Sequence, residues 1–252
     1  MTPDDNQSTS FELEQPGPNF VKYGNPFSET NRGFLYLKSS GFDALEVCGT
    51  ALRMVKHFKV RPDAIQVKSL RTTEHENLVN LKEVFLAEDA IFFVYDDWGI
   101  PVDRICSVFH IGEIEVATIC KGVLQGLVYL HEVLDIGHGA IYPSNILIMP
   151  DGGVKIANVG SSMVKQLADE YQYQDVLAVC YMVRTLLGAR ALGSRGLLGC
   201  LSDDFVRPSH LMGAQDLLRH PFLAFGAGKW CLQVLRDLYL VVGLSERTTS
   251  DL

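Results

Sequence analysis

No run of basic residues stands out anywhere in this chain, and acidic residues outnumber basic ones by 30 to 22. The net charge of −8 argues against a general binder of nucleic acid or anionic membrane, because phosphates must be neutralised by Lys and Arg. Paired cysteine spacing is missing as well. Cys48, Cys106, Cys120, Cys180, Cys200 and Cys231 are scattered, with no CxxC and no His/Cys ligand set, so no metal site is expected. Cys106, Cys120 and Cys180 sit among apolar residues and read as small hydrophobes. Cys200 has no adjacent His or cation to activate its thiol. Every longer apolar run is interrupted by polar residues before it reaches membrane-spanning length. The first nineteen residues lack the basic and apolar regions of a secretory signal, so a reducing compartment, cytoplasmic or nuclear, is the expectation.

What is present is ordinary globular composition, 47% apolar and 21% charged. At 252 residues that suits one domain or two small lobes with a real core. Residues 1–18 are polar and contain Pro, which predicts a disordered tail. Strand-like runs follow: Gly33–Leu37, a bend at Lys38-Ser39-Ser40-Gly41, a less clear run from Phe42 to Cys48, and Thr50–Val55. Arg61-Pro62-Asp63 reads as a helix start, backed by the apolar stripe Ala64, Ile65, Val67 and Leu70. Leu81–Leu86 and Ile91–Tyr95 are two further strands, joined by the polar turn Ala87-Glu88-Asp89.

After Trp98-Gly99 the apolar period changes from two to about 3.6. Val116, Ile119, Cys120, Val123, Leu124, Leu127 and Leu130 define one face of a helix over roughly Gly112–His131. Asp175–Leu187 is apolar nearly all round, which predicts a buried central helix. Leu211–Leu218 and Trp230–Leu244 complete a helical remainder, with Trp230 expected in the core. Between these helices, Ile146-Leu147-Ile148, Pro150-Asp151-Gly152-Gly153 and Val154-Lys155-Ile156 spell strand, tight turn, strand. The loops His138–Asn145 and Asn158–Gly160 flank that hairpin, which makes it a good scaffold for a site. No internal repeat is evident.

This order of motifs resembles the eukaryotic protein kinase family, Ser/Thr type, over about residues 20–223. Tyr129-Leu130-His131 looks like the end of the long helix before the family's catalytic loop. Pro143-Ser144-Asn145-Ile146-Leu147-Ile148 matches the back of that loop, and Asp151–Ile156 the approach to the metal-binding Asp-Phe-Gly. Asp175-Val176 matches the start of the central helix. Arg207-Pro208-Ser209 and His220-Pro221-Phe222-Leu223 match the closing blocks, and His75–Val79 the segment after the small lobe's helix. The resemblance implies an α+β, two-lobed fold with a shortened activation segment. Its parts would be a β-rich N-lobe at 19–98, a helical C-lobe at 99–224, and a helical extension at 225–252.

Phosphoryl transfer needs a phosphate cradle, neutralising cations and a carboxylate that orients the acceptor hydroxyl. Against that pattern the chain departs at nearly every position. His138-Gly139-Ala140 stands where the family has His-Arg-Asp, so the base is an alanine; a positioned base is worth about 10²–10⁴-fold. Tyr142 replaces the Lys two residues on. Asn158-Val159-Gly160 replaces Asp-Phe-Gly, leaving Asn145 as the one retained ligand type, and Mg²⁺ is usually held by carboxylates. Ala51-Leu52-Arg53 is matched to the Val-Ala-Ile-Lys strand, placing Arg53 at the phosphate-pairing Lys and Gln66 at its Glu partner. The Gly-rich loop, sought before Leu35, finds only Gly24 and Gly33. Ser161–Gln174 is short for an activation segment and holds no Ala-Pro-Glu.

The vestigial nucleotide site would comprise Ala51, Arg53, Tyr95, Asn145, Leu147 and Asn158, with Ile148 beside it and Tyr95 narrowing the back of the slot. Core packing explains the apolar members equally well. His138 reads as structural, Asn145 as a loop residue bonding backbone groups, and Arg53 as a strand residue paired with Asp or Gln. Asp151 reads as a turn residue and Asp135 as a solvated helix-end residue, with a displaced base as the alternative for Asp135. Asp169 and Glu170 are expected in an exposed connector, while Met163 and Val164 cover core or form a partner surface. The expectation is a pseudokinase without cofactor, a binding, scaffolding or allosteric module in signalling with a protein partner, another kinase being one candidate. Two alternatives stay open: a weak kinase using ATP and Mg²⁺ in an atypical site, and a truncated relative with little folded function.

Overall fold

The computed structural model describes residues 20–29, 31–36, 44–48, 51–60, 69–167, 169–191, 196–208 and 212–249. The tail at 1–18, the bend at 38–41, the helix expected from Arg61 and its Gln66 lie outside the described residues. In the first part, β1 (Val21–Tyr23), β2 (Gly33–Tyr36), β3 (Ala44–Cys48), β4 (Ala51–Lys59), β5 (Leu81–Leu86) and β6 (Ala90–Tyr95) form one sheet. Its order is β1-β5-β6-β4-β3-β2, antiparallel throughout except that β1 joins the edge parallel to β5.

The central strands β5 and β6 are covered on both faces, which is why they are rich in aromatic and aliphatic residues. Met54 pairs with Tyr95 and Lys56 with Phe93, so these four side chains share the face turned toward the helical part. Val55, Phe85, Phe92 and Val94 share the other face. Phe27 and Phe34 cover them, with Phe27 edge-on to Phe34 at 4.8 Å and to Phe92 at 5.5 Å. Arg32 lies on that outer face, held by Glu46 at 2.5 Å and Glu83 at 2.9 Å. Burial opposes its charge, but the two carboxylates outweigh that and raise its pKa. Arg32, with Lys22 beside it, overcomes burial at Glu83 and lowers its pKa.

In the second part, β7 (Ile100–Pro101), β8 (Ile146–Ile148) and β9 (Val154–Ile156) make a small sheet beside α1 (Val102–Cys106) and α2 (Glu113–Val128). Glu115 accepts from the Gly112 backbone and so satisfies one free donor at the start of α2. Val116, Ile119, Cys120, Val123, Leu124 and Leu127 are buried, the stripe expected from the sequence. Each is worth about 1.5–3 kcal/mol when fully buried, the cysteine less. Gly126 lets the hairpin approach: a methyl there would sit 2.9 Å from Ile156 and 3.0 Å from the Asn77 carbonyl. Asn77 also donates to the Val154 carbonyl at 3.0 Å, tying the segment after the β part to the hairpin. The hairpin turn itself is as expected, with the Gly153 amide donating to Asp151 at 2.9 Å.

Several elements differ from the sequence expectation. The long helix gives way at Tyr129–Val133 to a π turn, and α1 was not anticipated. The supposed connector holds α3 (Val159–Lys165), and α4 (Asp169–Ala191) begins at Asp169, so Asp169 and Glu170 are helical. α4 is not buried all round: Leu177 and Tyr181 are exposed, Tyr181 by 71%. α5 (Leu197–Phe205) is additional, and the expected Leu211–Leu218 helix is reduced to α6 (Ala214–Leu217). α7 (Lys229–Thr249) buries Cys231 and Leu232 against the rest and leaves Trp230 64% exposed. A helix with apolar residues on two faces does not reveal which one packs, so Trp230 is corrected from core to surface.

Candidate functional site

Asp175, in α4, organises the loop ahead of the hairpin. Its buried carboxylate accepts from the His138 amide at 2.6 Å, the Gly139 amide at 2.7 Å and His131 Nε2 at 3.0 Å. His138 is buried, its Nε2 donating to the Ala157 carbonyl at 2.9 Å, and its carbonyl accepts from Ser162 Oγ at 2.7 Å. Burial lowers the His138 pKa, against the pull of Asp175, so the ring is a neutral structural group. Gly139 adopts φ of +70°, and a side-chain carbon there would run into Leu167. An Arg here, as in the family pattern, would require the Leu167 side chain to shift.

The polar end of the loop is closed on itself. Asn145 Nδ2 donates to the Ala140 carbonyl at 3.0 Å, and Asn158 Nδ2 donates to Asn145 Oδ1 at 2.7 Å. Asn158 takes a left-handed conformation, which Asn tolerates better than most residues, and its buried Oδ1 has no partner. Neither amide supplies the negative charge that carboxylates bring to a Mg²⁺ ion. Among the described residues, no group of three or more His, Cys, Asp or Glu is placed to hold a metal ion. Ala140 offers no base, and Tyr142 is 55% exposed. Asp135 is exposed and bonds Gln172 of α4, so it is not brought to this end of the loop.

The slot above the hairpin is lined by Leu45 and Met54 from the sheet, Leu147 from β8 and Tyr95 at the back. All four are buried in one continuous core, Met54 and Leu147 at 0% exposure. Tyr95 Oη accepts from the Gly160 amide at 3.2 Å, and burial raises its pKa. Behind it, Gly160 lies so close to Phe93 that a side-chain carbon would sit 2.5 Å from the ring. Val159 and Met163 of α3 are buried, and the Met163 carbonyl accepts from Ser69 at 3.3 Å. α3 thus docks between the two parts of the molecule.

The structure brings together Tyr95, Asn145, Leu147 and Asn158 and leaves Arg53 apart. Arg53 lies on the outer face of the sheet, paired with Glu83 at 3.6 Å and opposite Glu46 in register. The side chain of Ala51 lies outside the described residues. The cation on the inner face is Lys56, opposite Phe93. Met54-Val55-Lys56 repeats the apolar-apolar-Lys pattern three residues after the segment first matched, a signal present in the sequence. In a kinase the Lys occupies the third strand of the meander, β4 here, so the phosphate loop belongs between β2 and β3. That loop is 37–43, outside the described residues, rather than the stretch before Leu35. Met54, Lys56, Ser162 and the anchoring role of Asp175 emerge only from the packing.

Comparison with known proteins agrees with the architecture. The chain is 34% identical over 108 residues to the serine/threonine-protein kinase Tao of Drosophila melanogaster, covering 42% of this chain and 10% of that protein. It is 36% identical over 100 residues to the dual specificity mitogen-activated protein kinase kinase 1 of Dictyostelium discoideum (39% and 15%). It is 37% identical over 103 residues to the mitogen-activated protein kinase kinase 2 of Arabidopsis thaliana (40% and 28%). The matches thus take in less than a third of the length of these relatives. Residues 51–194, more than half of the chain, match the protein kinase domain. The β-rich part, the helical part and the loop hung from Asp175 are those of a two-lobed kinase-like fold, and the chain belongs to the protein kinase family.

Proposed function

We propose that this chain is a catalytically silent protein kinase fold that acts by binding a protein partner in signalling. The observation that carries the reading is the hydrogen bond between the Asn145 and Asn158 amides, beside Ala140. Groups that would hold a metal hold each other, and no carboxylate stands where a substrate hydroxyl would be oriented. Met54 and Tyr95 support the same reading by filling the slot where an adenine ring would lie. Neither ATP nor Mg²⁺ is then required, and the fold serves as a surface for another signalling protein, a second kinase among the candidates. No described helix is long and apolar enough to cross a membrane.

Lys56 favours a second reading, a weak ATP-dependent Ser/Thr kinase, because it puts a cation on the inner face of β4. Incubating the chain with radiolabelled ATP and Mg²⁺, alone and with a generic acceptor protein, separates the two. The silent reading expects no phosphate incorporation above a heat-denatured control. Incorporation that Lys56→Ala abolishes would overturn it.

A further inference from the structure

One side of α7 is fixed to the helical lobe. Cys231 and Leu232 are buried, Lys229 pairs with Asp151 at 3.1 Å, and the Cys231 thiol lies 3.7 Å from Thr118 Oγ1. The hairpin turn meets the start of the helix closely: a side-chain carbon on Gly152, at φ of +78°, would run into the Lys229 carbonyl. The opposite side carries an apolar stripe. Trp230, Val234, Leu238 and Val241 are each between 47% and 64% exposed. At 3.6 residues per turn they fall within an arc of about 80°, along a length of about 17 Å. Exposed apolar side chains scattered singly are ordinary, whereas four in one stripe on a fixed helix mark an interaction surface.

The stripe is complementary to its own reverse. Two copies of α7 laid antiparallel about a two-fold axis near position 236 set Trp230 against the partner's Val241 and Val234 against the partner's Leu238, large beside small at each end. Trp230, Val234 and Leu238 are spaced by four, so they form a ridge that seats in the matching groove of a copy. Charge favours the same pairing. The chain carries −8 and repels itself over most of its surface, but residues 229–243 hold two cations, Lys229 and Arg236, against one carboxylate, Asp237. Asp237, at the edge of the stripe, is held by Arg236 at 3.0 Å. We propose that this face of α7 is a homodimer interface, covered by the same helix of a second copy. Helices crossing over such a length bury an area at the low end of specific interfaces, roughly 1,200 Å² in total, which suits a reversible dimer. Neither the slot nor Ala140 takes part, so the failure of this proposal leaves the silent-site reading untouched.

Sedimentation velocity of the full chain, from about 1 to about 100 µM, tests the proposal. The mass is expected to rise from the 28.0 kDa of one chain to twice that value. Trp230 emission should move to shorter wavelength over the same range, as the indole leaves water. Val234→Lys and Leu238→Glu each put a charge into the stripe at an exposed position. Either one alone should weaken self-association by about tenfold or more, with the melting temperature of the dilute chain unchanged. Mixing the two variants should restore the dimer, because the introduced charges face each other in the antiparallel register. A single-chain mass at every concentration would overturn the proposal and leave the stripe to a different protein. Assembly beyond two copies, a dimer that Leu238→Glu leaves intact, or a mixture of the two variants that stays monomeric would overturn it as well.

Discussion

The loop from His138 to Asn145 has two ends, and they obey different constraints. Its start is clamped: two backbone amides and His131 converge on Asp175, while His138 Nε2 bonds the Ala157 carbonyl and the His138 carbonyl accepts from Ser162. Its far end carries Ala140, the exposed Tyr142 and an amide bonded to another amide. Removing a group from the clamped start strands buried donors, which is costly in any folded protein. Removing Asp or Lys from the far end costs only chemistry. A fold can therefore keep the kinase frame while the groups for phosphoryl transfer are absent.

The largest expected effect breaks the clamped end. Asp175→Ala leaves three donors, two of them buried, without an acceptor and should lower stability by about 3 kcal/mol or more, measured by urea denaturation. Met54→Ala comes next, with a loss of about 2–5 kcal/mol because it empties space in the core. It should also create a slot that nucleotide enters, seen as a thermal shift with ATP, whereas Ala140→Asp with Asn158→Asp should give none. Gly160→Ala forces a methyl against the Phe93 ring and should cost about 1–3 kcal/mol by the same denaturation assay.

A smaller effect is read from pH. His75 and His138 both have lowered pKa values, chiefly because burial disfavours the charged ring. The unfolded chain then binds more protons than the native one, so stability is full above about pH 6.5 and falls as pH drops below it. Denaturation midpoints should decline from pH 7.5 to 5.5, and His75→Gln should flatten part of that slope. Glu83, lowered by Arg32 and Lys22 against the effect of burial, adds a further loss only under more acid conditions, as pH falls through the ordinary carboxylate range toward its own value. The smallest effect belongs to the open end. Tyr142→Lys restores the family's cation at an exposed position and should change stability by less than about 0.5 kcal/mol, with no phosphotransfer gained.

Much of the frame was legible in the sequence because local chemistry determined it. The hairpin turn at Pro150–Gly153 and the stripe along α2 are examples. The face of β4 was not legible. Met54 and Val55 are both buried, so alternation alone cannot say which side looks into the slot; only pairing with Tyr95 decides it. The strand pattern therefore fits Arg53 as readily as Lys56, and only the pairing puts Lys56 on the face opposite Phe93. α3 was hidden for another reason: Val-Gly-Ser-Ser-Met-Val-Lys has little intrinsic helix preference, and its helix rests on docking of Val159 and Met163 and on the bond from Gly160 to Tyr95. The amide pair was legible as two asparagines but not as a contact, since thirteen residues separate them.

The most direct test of the central claim is a thermal shift of the unaltered chain titrated with ATP, with and without Mg²⁺. The account predicts an unchanged melting temperature at every concentration, because the slot is filled and the amide pair holds no metal. A metal-dependent rise equivalent to about 2.7 kcal/mol, as expected for a ligand at a hundred times its Kd, would contradict it.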